Sequence, residues 1–206
     1  MISLFLDTSS KTLSTYIVKD NEIICEKNIT TNNDHSKYLV PSIDEGLRIN
    51  NLKPSDINKC YVVTGPGSFT GTRIAVTVGK TFCYSNNINV IPVSSLKQYI
   101  FSLDNYDYYV SIIKDTGNRV YYGIYDKDYK DIVTDKYNYL EVFKEDISKL
   151  NGNIAYISEN EIEDLNIIKP SLNVIKLMDY YKDSEINPHY LKPNYLKKIE
   201  VEEKLW

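Results

Sequence analysis

At 206 residues, with 42% hydrophobic side chains, the chain is long enough for one large domain or two small lobes with real cores. A formal charge of −4 excludes an overall basic field of the kind that draws proteins to nucleic acid. The three cysteines (Cys25, Cys60, Cys83) sit singly in apolar surroundings without metal spacing, which argues against a disulfide scaffold, and the isolated His35 and His189 build neither a metal cluster nor a histidine-based triad.

No basic stretch precedes the first short apolar run, and no apolar run approaches the length of a membrane span. The expectation is a soluble cytoplasmic protein with no membrane contact. Nineteen tyrosines suggest base-stacking platforms. They are spread along strand-like runs such as Tyr106-Asp107-Tyr108-Tyr109, beside abundant Asn, Ile and Lys, as the codon bias of an AT-rich genome produces, and that reading is preferred.

Ile2 to Leu6 is an apolar strand ending in the turn formers Asp7-Thr8-Ser9-Ser10. Asp7 could hold a metal or its water in a phosphotransferase, with Thr8 beside it as a nucleotide contact. It could equally close an Asx-turn onto Ser9 or Ser10, and the turn is preferred. Leu13 to Val18 and Ile23 to Ile29 form a hairpin around Asp20-Asn21. Asp34-His35-Ser36 leads into a helix to about Ile49, with Val40, Ile43 and Leu47 on one stripe and Pro41 in its first turns. A short helical start at Lys53-Pro54-Ser55-Asp56 follows.

Cys60 to Val63 is a buried strand running into Gly65-Pro66-Gly67-Ser68-Phe69-Thr70-Gly71, a turn whose glycines supply backbone freedom. Ser68 or Thr70 can cap the next helix, which carries Ile74, Val78 and Phe82 on one face and ends at Asn86-Asn87. A helix N-terminus could cradle a phosphate there. The spacing nevertheless fits no P-loop, dinucleotide fingerprint or nucleophile elbow. Val90 to Val93 is a further strand, and Ser94-Ser95 caps a helix to about Ser102.

Residues 1–103 thus form a first lobe of order βββαβαβα, a mixed sheet with helices packed on it. Residues 104–206 start again with three hairpin-linked strands (Tyr108 to Ile113, Val120 to Tyr125, Tyr129 to Thr134). A helix near Leu140 to Leu150, a strand Ile154 to Ile157 and a helix near Val174 to Tyr181 follow, before a charged tail. The second half repeats the first, and a cleft between two such lobes is a natural ligand site.

Gly65-Pro66-Gly67-Ser68-Phe69-Thr70-Gly71-Thr72-Arg73-Ile74 resembles the hallmark of the TsaB (YeaZ) family, usually GPGSFTGLRIG, with Thr72 in place of leucine and Ala75 in place of the last glycine. Leu6-Asp7-Thr8-Ser9, His35-Ser36, Pro92-Val93-Ser94-Ser95-Leu96, Val120 to Tyr125 and Pro193 to Lys198 match in the same order. The resemblance implies an α/β fold of the actin/Hsp70/sugar-kinase (RNase H-like) type with duplicated βββαβα lobes. It also implies a role in making N6-threonylcarbamoyladenosine at position 37 of tRNA.

In that family TsaB is not the catalyst. It pairs with the metal-binding TsaD, or with itself when alone, and the TsaE ATPase joins them. ATP and Mg belong to the assembled complex rather than to this chain, and tRNA is met through the complex. The expected interface is Ser36, Leu39, Val40, Ile43 and Leu47 on the first helix with Arg73, Val76 and Lys80 on the next, where Gly46, Ala75 and Gly79 allow close approach. No catalytic or metal-ligating residue is assigned. The competing readings are a small ATPase or carbohydrate-kinase relative using Asp7 and, less favoured, a peptidase. Two departures stand out: Lys114-Asp115-Thr116 replaces the family's Asp-Ala-Arg, and the tail has Lys197, Ile199 and Val201 where relatives often have Arg, Ser and Ala.

Overall fold

The computed structural model describes residues 1–32 and 34–197. The expected tail at Lys198, Ile199 and Val201 lies outside the described residues. The chain divides into two compact units, Met1–Ser95 with Val174–Pro193, and Leu96–Asn173 with the segment from Asn194. This differs from a single cut at residue 104. The chain returns to the first unit after Asn173, a non-local event that no local composition shift announces.

The first unit holds a five-stranded sheet of order β3-β2-β1-β4-β5: β1 (Ile2–Asp7), β2 (Thr12–Lys19), β3 (Glu22–Thr30), β4 (Lys59–Gly65) and β5 (Val90–Ser94). β1, β2 and β3 pair antiparallel, while β4 and β5 join in parallel. The hairpin at Asp20-Asn21 forms because both residues take positive φ (49° and 67°), the geometry that matches strand twist and that Asp and Asn tolerate. Helices α1 (His35–Ile49) and α2 (Phe69–Ser85) cover one face, and Leu4, Leu6, Cys60 and Val62 of the sheet share a core with Leu39, Ile43 and Leu47 of α1 and Ala75, Val76 and Cys83 of α2. Each fully buried Leu or Ile contributes about 2 kcal/mol. On the opposite face α4 (Val174–Tyr181) is pinned by Tyr61, whose hydroxyl donates to the Met178 carbonyl at 3.1 Å.

Both long helices stop the same way. Asn51 (φ 54°) and Asn87 (φ 52°) turn left-handed, and the amides of Leu52 and Ile88 reach back to the carbonyls of Leu47 (2.9 Å) and Cys83 (3.0 Å). Pro41 lies inside α1 beyond its first turn, so it removes a ladder bond rather than an orphan donor; it sits on the exposed side, where water can satisfy the freed carbonyl. The helix expected after Ser94-Ser95 is a short 3-10 segment, Lys97–Ser102, and Pro54–Asp56 is a 3-10 turn.

The second unit repeats the pattern in its own sheet, order β10-β9-β6-β7-β8: β6 (Tyr108–Lys114), β7 (Arg119–Asp126), β8 (Asp131–Tyr139), β9 (Ile154–Ile157) and β10 (Ile167–Ile168). The meander is again antiparallel and the two added strands parallel. Helix α3 (Leu140–Ser148) covers it with Phe143 and Ile147 against Val110, Ile112 and Tyr122. The crossover to β10 carries no helix, so the second copy is the reduced one. No helix among the described residues is long and apolar enough to cross a membrane.

Candidate partner interface and glycine-rich loop

The glycine-rich loop is set by close backbone approach. A Cβ on Gly71 would lie 2.0 Å from the Thr8 carbonyl oxygen, and one on Gly67 would lie 2.4 Å from that of Ser9, so only glycine lets this loop rest on the β1–β2 turn. The Ser68 amide donates to the Ser9 carbonyl at 2.8 Å, and the Gly65–Pro66 bond is cis. Of the two candidate caps it is Ser68 that acts, its hydroxyl accepting from the Gly71 amide at 3.1 Å. Pro66 is held by the Ser95 hydroxyl, which donates to its carbonyl.

Thr8 and Asp7 serve this architecture. The Thr8 hydroxyl donates to the Gly71 carbonyl (2.6 Å) and accepts from the Ala75 amide (3.1 Å), which bridges the very groups that an α-helix pairs at i and i+4. Thr8 is fully buried, and its hydroxyl is engaged within the first turns of α2. Asp7 is 3% exposed and its Oδ1 accepts from the Ser9 amide at 2.7 Å, the Asx-turn alternative. His35 opens α1 and is buried. Its Nε2 donates to the Ser10 carbonyl at 2.7 Å, so that nitrogen carries the proton, and its Nδ1 pairs with the Thr31 hydroxyl. His189 lies edge-on to Tyr84 at 5.2 Å.

The predicted interface residues separate by burial. Leu39, Ile43, Leu47 and Val76 are buried in the core beneath α1 and α2. Leu39 and Val76 are therefore not surface residues; the stripe mostly faces its own sheet, because a helix on a sheet must spend one apolar face there. Ser36 and Val40 are exposed, Val40 at 55%. Arg73 is exposed and stacks its guanidinium 3.7 Å above the Phe69 ring, at the other side of the α2 start. Lys80 donates to the carbonyls of His189 (2.9 Å) and Leu191 (3.4 Å), tying the C-terminal stretch of the first unit to α2.

What remains open between the helices is an apolar groove of about 360 Å³. Val40, Ile43 and Leu47 form its α1 wall. Thr77, Val78, Thr81 and Phe82 form the α2 wall, and Pro54 closes one end. Among the described residues Asp44 is its one charged lining residue. Periodicity locates Val40, Ile43 and Leu47 on α1, and Val78 and Phe82 lie on the Ile74 to Phe82 stretch of α2 expected to join them. Thr77 and Thr81 gave no apolar signal. Among the described residues no three of His, Cys, Asp and Glu converge as metal ligands.

The matches to known proteins agree with one another. A model of the family "TsaD: tRNA N6-adenosine threonylcarbamoyltransferase" matches residues 24–165. The tRNA threonylcarbamoyladenosine biosynthesis protein TsaB of Bacillus subtilis is 34% identical over 126 residues, 61% of this chain and 55% of that protein. The chain thus spans about half of that relative. The uncharacterised protein MG208 of Mycoplasma genitalium is 29% identical over 198 residues, 94% of each chain. Among solved structures, YeaZ from Pseudomonas aeruginosa superposes with a TM-score of 0.72 at 16% identity, over 95% of this chain and 99% of that one. A second Pseudomonas aeruginosa structure, described as similar to peptidase YEAZ, reaches 0.77 at the same identity and coverage.

Proposed function

The chain belongs to the TsaB (YeaZ) family, and from that premise we propose that it is a non-catalytic, cytoplasmic subunit for tRNA threonylcarbamoyladenosine synthesis that pairs with TsaD through the α1–α2 groove. The observation that carries this reading is the groove itself: two helices that have already buried their core faces still leave Val40, Val78 and Phe82 lining one apolar trough. An apolar trough with a polar rim is how helices of a partner dock. The fate of the histidines supports a non-catalytic role, since His35 is consumed by Thr31 and Ser10 and His189 lies edge-on to Tyr84. TsaE, ATP and Mg act on the assembled complex, and a second copy of this chain fills the groove when TsaD is absent.

The test mixes this protein with its cognate TsaD, with and without TsaE and ATP, and follows complex formation and threonylcarbamoyl transfer to tRNA. A stable complex and transfer that needs this chain are expected. Val40→Glu, exposed and so tolerated by the monomer, should weaken the complex about 100-fold by desolvating a charge in an apolar contact. Leu47 is unsuitable, because it is buried and a charge there would unfold the unit. Normal TsaD binding by Val40→Glu, transfer without this chain, or robust ATP turnover by the chain alone would each overturn the proposal.

A further inference from the structure

The two copies of the strand meander are built to the same plan and differ sharply at one corner. β2 and β7 each have eight residues, β3 and β8 nine, and each pair sets the first residue of one strand opposite the last of the other. In the first unit that corner is Thr12 opposite Thr30 and Ser14 opposite Asn28. In the second it is Arg119 opposite Tyr139 and Tyr121 opposite Tyr137. Small polar groups suffice in the first copy, where the Ser14 hydroxyl donates to Asn28 Oδ1 at 2.7 Å and the Thr12 and Thr30 hydroxyls lie 3.4 Å apart. The strand pair therefore needs no rings there. Codon bias accounts for the number of tyrosines, but not for three of them gathered around an arginine.

The four side chains of the second corner point away from α3. Strand residues alternate between faces, and the intervening Val120 and Tyr122 pack into the core with Phe143. On the outer face the Tyr121 and Tyr137 rings lie 4.5 Å apart at 34°. The Arg119 guanidinium stands 4.5 Å over the Tyr139 ring and 5.6 Å over that of Tyr137, and its Nη2 donates to the Tyr139 hydroxyl at 2.8 Å. The Lys197 ammonium approaches the Tyr137 ring at 5.7 Å. Asp115 sets both, accepting from the Tyr137 hydroxyl (2.7 Å) and from Lys197 (2.9 Å), while Glu141 accepts from the Asn118 side-chain amide (2.6 Å). Tyr139 is 47% exposed and Tyr121 and Tyr137 are half-buried, so the corner meets solvent.

We propose that this corner of the second unit is a stacking platform for unpaired bases of RNA. Rings and a guanidinium plane on an antiparallel sheet offer flat surfaces that any base can cover. Arg119 and Lys197 stand beside them to meet a chain that carries a negative charge at every nucleotide. A proline-rich peptide would use the rings and leave the cations idle. The choice of RNA rests on the proposed role in tRNA modification; the platform itself does not. The contact is one that this chain makes directly, and it lies on a different unit from the α1–α2 groove, so loss of either leaves the other standing.

The test is fluorescence anisotropy of a short, unstructured, labelled RNA titrated with the full chain alone, without TsaD, over a range of salt concentrations. Saturable binding is expected, weaker for the same sequence in a duplex. Tyr139→Thr and Arg119→Thr install the pair that closes the same corner of the first unit, so thermal unfolding should stay cooperative in both. Tyr139→Thr should weaken binding about tenfold at every salt concentration, because stacking releases no counterion. Arg119→Thr should weaken it and also flatten the dependence of log affinity on log salt by about 0.7, the share of one phosphate contact on a single strand. Tyr139→Phe, which keeps the ring, should bind nearly as the parent does. Absence of saturable RNA binding, duplex binding as tight as single-strand binding, unchanged affinity in Tyr139→Thr, or saturable binding of a proline-rich peptide in place of RNA would each overturn the proposal.

Discussion

Thr8→Val is the sharpest test of how β1 and α2 are joined. The substitution keeps the shape of a fully buried side chain and removes only the hydroxyl that bridges the Gly71 carbonyl and the Ala75 amide. Each buried backbone group left facing a methyl costs about 1–3 kcal/mol. The two are helical partners at i and i+4, so partial collapse of the ladder recovers one bond, leaving a net loss of about 2–3 kcal/mol. Thr8→Ser keeps the bridge and loses one methyl, about 1 kcal/mol. Urea unfolding should show the valine variant with a midpoint about 1 M lower and an unchanged slope. Hydrogen exchange at the Ala75 amide should speed up in the valine variant alone. A valine variant as stable as the parent, or more stable than the serine variant, would refute the bridge.

Gly79→Ala should destabilise although helix propensity alone favours alanine by about 1 kcal/mol. Its Cβ would stand 2.4 Å from Cγ2 of the fully buried Val62, an overpacking cost of about 1–3 kcal/mol that Val62→Ala in the same chain should relieve in thermal unfolding. In the second unit, the Tyr122 hydroxyl (2.8 Å), Lys149 (3.0 Å) and Lys136 (3.2 Å) hold the Asp146 carboxyl at about 2, below its ordinary 3.8. A lowered carboxylate value gives stability that is present above about pH 4 and lost as pH falls toward 2. Asp146→Asn should therefore cost about 1–2 kcal/mol at pH 7 and almost nothing at pH 2, and a pH-independent difference in unfolding free energy would contradict the assignment.

Much of the fold is legible locally. The Asp20-Asn21 hairpin, the β4–glycine loop–α2 unit and the repeated three-strand meander follow from alternation, turn residues and caps acting within a few residues of each other. Ser68 and Thr70 were equivalent as caps on paper; the approach of Ser9 to the Ser68 amide makes Ser68 the one that turns into the helix. The interface stripe was legible as apolar but not as to its partner, since periodicity shows that a face is apolar and not what covers it. Leu39 and Val76 went to the core, Val40 to the surface, and Lys80 to the carbonyls of His189 and Leu191, a contact across more than a hundred residues.

The sequence by itself determined the duplicated strand order, the family and the dependence of the glycine loop on its small residues, because these rest on short-range sterics and a long, specific motif. Only the tertiary structure decided that Thr8 spends its hydroxyl inside the α2 ladder, that Asp7 closes a turn, and that 174–193 rejoin the first unit. Those outcomes depend on which distant groups come within hydrogen-bond reach, and chain folding fixes that reach while residue order alone does not.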